Sequence, residues 1–215
     1  MRLTHGRVTL ELHELARRDG PSLLLLHSLY GSSADWGEAP ATWHGSVFAL
    51  DFAGHGQSDR VVGGGYHPEL LVGDADAALA HIGSAAVAGA GLGAYIALLL
   101  AGARRDAVPA ALLLPGAGLW GGGALPDFER DFPDFDAAGG GAGLYDPLVR
   151  TLDRDVRPVD YAESFAHAAR WLLLAEDGTP RPPWWEAARR GDAEAVSGDL
   201  RAALARLRAA ASADH

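Results

Sequence analysis

Apolar and polar residues are distributed along the chain in patterns that predict most of its elements. Val8–Leu15 (VTLELHEL) alternates apolar and polar positions, the period of a strand buried on one face, as in antiparallel pairing. Ser22–His27 (SLLLLH), Val47–Phe52 (VFALDF), Ala110–Leu114 (AALLL) and Arg170–Ala175 (RWLLLA) are short, nearly continuous apolar runs. Strands covered on both faces of a parallel sheet have that pattern. Pro68–Ile82 instead sets Leu70, Leu71, Ala75, Leu79 and Ile82 near helical spacing, which predicts an amphipathic helix. Asp160–Ala169 is expected to form a further helix, and Leu200, Leu204 and Leu207 mark a terminal one. Ser32 or Ser33 stands where it can cap a short helix. Strand, helix, strand, helix, strand in this order argues for an α/β fold with a mostly parallel, twisted sheet and helices on both faces.

One stretch organises the rest. Ala85–Ala103 reads AAVAGAGLGAYIALLLAGA: a strand-like first half, then a run of helix formers from Ala94 to Leu100. Gly89, Gly91 and Gly93 crowd the joint, where the chain must turn within very few residues. Three devices have this outline. A nucleophile elbow, G-x-S-x-G, fits at Gly89 and Gly93 but has Gly91 in place of serine. A dinucleotide fingerprint fits Gly89, Gly91 and Ala94, yet the next strand runs into Pro115-Gly116 rather than an acidic residue. A membrane helix fits the uncharged run Ser84–Ala103 with its G-x-x-x-G pair.

Composition narrows the chemistry. The 215 residues are 48% hydrophobic and 21% charged, enough for one sizeable core. A net charge of −10 argues against nucleic acid as a partner. The chain has no cysteine, and all 18 basic residues are arginine, so thiolate chemistry, Schiff bases and a P-loop lysine are excluded. The first residues are too polar for a signal peptide, and a cytoplasmic location is expected.

Three motifs in order carry a family resemblance. His27-Ser28-Leu29-Tyr30-Gly31-Ser32-Ser33-Ala34-Asp35-Trp36 resembles the HGxxGSSxxW stretch of α/β-hydrolases, with Ser28 where glycine is usual. Asp51-Phe52-Ala53-Gly54-His55-Gly56-Gln57-Ser58-Asp59 is similar to their DxxGHGxSD turn. Gly89-Ala90-Gly91-Leu92-Gly93-Ala94 then occupies the elbow. The resemblance favours the elbow over the other two readings. It implies a single α/β-hydrolase-like domain, with core residues 1–118 and 167–215 and a short cap at 119–166.

The resemblance also implies a triad in chain order serine, acid, histidine, and most of it is missing. Gly91 is a vacant nucleophile position. Asp177 is a candidate acid displaced by one residue from the expected slot, which Gly178 holds. Ala187–Ser212 offers no clear strand and no histidine, so the last strand of the sheet is expected to be absent. His27, His55, His81 and His167 read as structural or surface residues, and Ser32, Ser33 and Ser58 as caps and turn residues. No metal or cofactor is expected; the acidic residues at 127–136 read as a solvated face.

What the resemblance leaves is electrostatic. The backbone N–H groups of Leu29 and Leu92 are the implied oxyanion-hole donors, and the helix after them favours an anion. Tyr30, Trp184 and Trp185 are candidate pocket residues. The expectation is a non-catalytic or very weakly active pseudo-hydrolase that binds a small acyl or carboxylate ligand or a protein partner. The alternative is an active ester or acyl hydrolase, or a lyase, using water or an unconventional residue; a dinucleotide-binding enzyme is a more distant one. Without a last strand, 170–175 would be a bare sheet edge, so a covering segment or a homodimer through that edge is expected.

Overall fold

The computed structural model describes residues 1–37, 39–122, 144–155 and 157–213. The acidic and glycine-rich middle of the expected cap, from 123 to 143, lies outside them, as does His215. The main elements are β1 (Arg2–His5), β2 (Val8–Ala16), β3 (Leu23–Leu26), β4 (Val47–Asp51), α1 (Pro68–Ile82), β5 (Ala86–Ala90), α2 (Leu92–Ala103) and β6 (Ala111–Leu114). Two-residue strands β7 (Gly121–Gly122) and β8 (Arg154–Asp155) pair with each other. The chain closes with α3 (Val159–Ala168), β9 (Leu172–Glu176), α4 (Pro183–Arg190), β10 (Glu194–Ser197) and α5 (Leu200–Ser212).

The strands form one eight-stranded sheet in the order β1-β2-β4-β3-β5-β6-β9-β10. Pairing is parallel from β4 onward, while β1 and β2 form an antiparallel margin. The continuous apolar strands sit at the centre because both of their faces are covered. In β3, Leu24 and Leu26 enter a core with α1, α2 and α4, whereas Leu23 and Leu25 enter a second core. That second core is completed by Trp36, Trp43 and the Ala203, Leu204 and Leu207 face of α5. The predicted short helix is a 3₁₀ turn, Ser33–Trp36, with Ser32 as its cap and Asp35 closing a capping box.

Two expectations are corrected here. The last strand is present: β10 pairs in parallel with β9, Glu194 opposite Leu173 through Ser197 opposite Glu176. It escaped the pattern because Glu-Ala-Val-Ser is a short, half-exposed strand with no apolar run. In consequence 170–175 is not an edge. β9 is bonded to β6 on one side and β10 on the other, which leaves a homodimer no free edge there to use. The covering segment is a strand, while the terminal helix packs on a face of the sheet.

Candidate functional site

The loops that follow β3, β5, β6 and β9 meet at the carboxyl edge of four neighbouring strands, the edge where open α/β sheets place ligands. A buried carboxylate braces the loop after β3. Asp51, at the end of β4, accepts from Ser33 N at 2.7 Å, Gln57 N at 2.9 Å and His13 Nε2 at 3.1 Å. Burial opposes its ionisation, but the Gln57 and Ser33 N–H groups and His13 outweigh it and hold Asp51 below the ordinary range. This ties the Gly54–Asp59 turn to the loop after β3. Ser58 Oγ belongs to the same scaffold, accepting from Glu11 N at 2.8 Å and donating to the Asp51 carbonyl.

The histidines nearby are structural. His27 donates from Nδ1 to the Ser28 carbonyl at 2.7 Å and accepts from Phe52 N at Nε2, which fixes it as a neutral tautomer. His55 donates from Nδ1 to the Ala53 carbonyl at 3.2 Å and keeps a buried Nε2 with no partner among the described residues. Burial, reinforced by neighbouring His27, pushes the His55 pKa down to about 3.

The joint between β5 and α2 has the elbow's shape without its side chain. Gly91 takes φ 53 and ψ −115, a left-handed conformation that favours glycine. Its N–H donates to the Leu114 carbonyl at 3.0 Å, and its own carbonyl starts α2 by accepting from Ala94 N and Tyr95 N. The space where a side chain would stand is already filled. A Cβ on Gly91 would run into the Ala117 oxygen and lie 2.5 Å from Gly116 C and 2.6 Å from Ala117 N.

That loop after β6 also consumes the two implied oxyanion donors. Leu92 N and Leu29 N both donate to the carbonyl oxygen of Ala117, at 2.8 and 3.1 Å. The structure therefore brings Gly91, Leu29 and Leu92 together, but around a backbone carbonyl of the chain itself. Trp184 Nε1 holds the same loop by donating to the Leu119 carbonyl at 3.0 Å.

The other candidates divide. Trp184 and Trp185 are buried on α4, and with Gly91, Gly116, Gly118, Trp120 and Arg181 they line a cleft whose enclosed part is about 10 Å³, room for one water-sized group. Tyr30 does not line that cleft. Its ring packs at a tilt against Tyr145, centroids 5.0 Å apart, and its hydroxyl donates to Asp153. Asp177 lies after β9, where its Oδ1 accepts from Thr179 N at 3.0 Å, Thr179 Oγ1 at 2.7 Å and Arg181 at 2.7 Å. The Thr179 hydroxyl and N–H, with Arg181, hold its pKa down to about 2, so Asp177 is an ionised turn residue with no histidine bonded to it. After β10, where the resemblance implies a histidine, the chain reads Gly198-Asp199, and Asp199 caps α5 by accepting from Ala202 N. Arg181 carried no sequence expectation. An arginine between polar residues and prolines reads as exposed; only the two neighbouring tryptophans hint otherwise.

The architecture defines a class: the chain has the α/β-hydrolase fold. Similar solved structures include the bottromycin epimerase BotH in complex with Bottromycin A2, at 21% identity and a TM-score of 0.64, covering 98% of this chain and 96% of that one. A hypothetical protein from Pseudomonas aeruginosa PAO1 superposes with a TM-score of 0.71 at 18% identity, over 99% and 98% of the two chains. The thioesterase domain from the curacin biosynthetic pathway superposes with 0.66 at 17%, over 99% and 97%. No family model matches the sequence, and no curated protein matches it significantly. Among the described residues no helix is long and apolar enough to cross a membrane.

Proposed function

We propose that this is a non-hydrolytic protein of the α/β-hydrolase fold that holds a small acyl or carboxylate ligand in the cleft beside Gly91. The observation that carries the reading is the Ala117 carbonyl seated on the amides of Leu29 and Leu92. Acyl transfer of the serine type needs a nucleophile, a base within hydrogen-bond reach and unpaired donors aimed at the developing oxyanion. Position 91 has no side chain, the turn after β10 has no histidine, and both amides already have an acceptor. The fold does not dictate hydrolysis; one of its structural neighbours is named an epimerase. A mostly apolar cleft with a few placed donors is the usual make-up of a small-molecule site.

Hydrolysis of 4-nitrophenyl acetate and butyrate by the purified chain, beside a Gly91→Trp variant, tests this. Rates at the buffer background, indifferent to position 91, are expected. A robust wild-type rate would establish a working hydrolase and overturn the reading.

A further inference from the structure

Resting on the ligand-binding reading of this cleft, we infer that Arg181 and Trp185 form a carboxylate anchor, and that the ligand is a small apolar monocarboxylate. Among the described residues, two buried donors on side chains that line this cleft have no acceptor: Arg181 Nε and Trp185 Nε1. The Arg181 side chain is only 6% exposed, and an arginine N–H left unpaired away from water costs stability that an acceptor recovers. The rest of the guanidinium is held rigidly. One Nη donates to Thr179 Oγ1, and the other donates to the Ala175 carbonyl at 3.2 Å and to Asp177 at 2.7 Å. Its carbon lies 5.1 Å from the Trp185 ring centroid. The fork is thus preorganised, with its Nε–H left over and with the indole N–H left over on the ring that it faces.

Two donors without acceptors suit a group that only accepts. A carboxylate is such a group, whereas the isosteric amide brings N–H groups of its own. The volume of about 10 Å³ admits one oxygen-sized group, so a single carboxylate oxygen enters. The remainder of the ligand must lie toward Pro115, Pro182 and the half-exposed Trp120, which are apolar. Asp177 already pairs with Arg181, so the anchor is selective rather than tight. The anchor lies on the cleft, apart from the Leu29 and Leu92 amides, which Ala117 occupies.

The probe is phenylacetate against 2-phenylacetamide, followed by tryptophan fluorescence and by NMR of the Arg181 and tryptophan side-chain N–H signals. Phenylacetate is expected to bind saturably, about tenfold or more tighter than the amide, and to shift the Arg181 Nε–H and Trp185 indole signals. Arg181→Met and Trp185→Phe should each weaken phenylacetate about tenfold. Asp177→Asn, which removes the competing carboxylate, should tighten it and so provides a test should Arg181→Met fail to fold. No saturable binding, equal affinity for acid and amide, or an affinity indifferent to Trp185→Phe and Asp177→Asn would overturn the anchor, the donors then holding water only. Ester turnover would overturn the non-hydrolytic reading and leave phenylacetate binding as it is, so the two failures are distinguishable.

Discussion

The amide of Leu92 donates to the carbonyl oxygen of Ala117 at 2.8 Å. The first residue of α2 is thereby bonded to the loop after the neighbouring strand β6, and the loop lies where a side chain on Gly91 would have to be.

Gly91→Ser should not create an esterase. The serine would meet the Gly116–Ala117 backbone in a left-handed conformation, costing about 2–4 kcal/mol. Among the described residues, no histidine lines the cleft beside it to take the proton. Urea unfolding should show the loss of stability, and nitrophenyl ester assays should stay at background. A variant of wild-type stability that hydrolyses esters would refute this.

Gly118→Ala and Gly178→Ala separate strain from crowding. Both glycines have positive φ, 106 and 79. A Cβ on Gly178 meets nothing within 4 Å, whereas one on Gly118 lies 2.8 Å from Leu92 Cβ and 3.0 Å from Leu29 Cβ. Gly178→Ala should cost about 1 kcal/mol, and Gly118→Ala about 2 kcal/mol or more. Equal midpoints in parallel denaturant titrations would contradict the contact.

Trp184→Phe tests how the loop is held. It keeps most of the ring packing against Tyr95 but leaves the Leu119 carbonyl without its donor, a loss of about 1–3 kcal/mol. Because Leu119 is two residues beyond Ala117, amide exchange at Leu29 and Leu92 should accelerate in the variant. Unchanged exchange at both positions would mean that the tryptophan does not restrain the loop.

Acid should destabilise the fold through its buried histidines. The His55 pKa falls from 6.5 to about 3 on folding, by burial and then by His27; that of His27 is lowered by its own burial. Between those values the unfolded chain binds the proton and the folded chain does not. The associated stability is therefore present above pH 6.5 and lost as pH falls toward 3. For His55 the slope is about 1.4 kcal/mol per pH unit. Urea unfolding from pH 7 to 4.5 should show it, and His55→Gln should flatten the slope by about one proton. A variant as steep as wild type would exclude His55 as the source.

Legibility in the sequence followed the physics of each element. Ser22–His27 was readable because a central parallel strand has both faces covered, and Pro68–Ile82 because one face of α1 is apolar. The outer strands β1, Arg-Leu-Thr-His, and β10 carry polar, half-exposed residues, so their backbone pairing leaves no apolar trace. At the site, the glycines disclosed the elbow and the empty position 91. The role of Ala117 was hidden because any residue supplies the same carbonyl. The only signal was the crowding of Gly116 and Gly118 on either side, which marks close backbone approach. Arg181 was hidden because burial of a cation depends on partners brought from β9 and α4.

The filled space at position 91 also constrains the order in which this sequence can change. Any first substitution there meets backbone rather than a movable side chain, and backbone has no alternative rotamer to adopt. A change that displaces residues 115–118 must therefore come first, and only then does position 91 accept a larger residue. A screen of pairwise variants would find tolerated residues at 91 only on backgrounds already altered in that loop, so the two sites are neighbours in mutational history as well as in space.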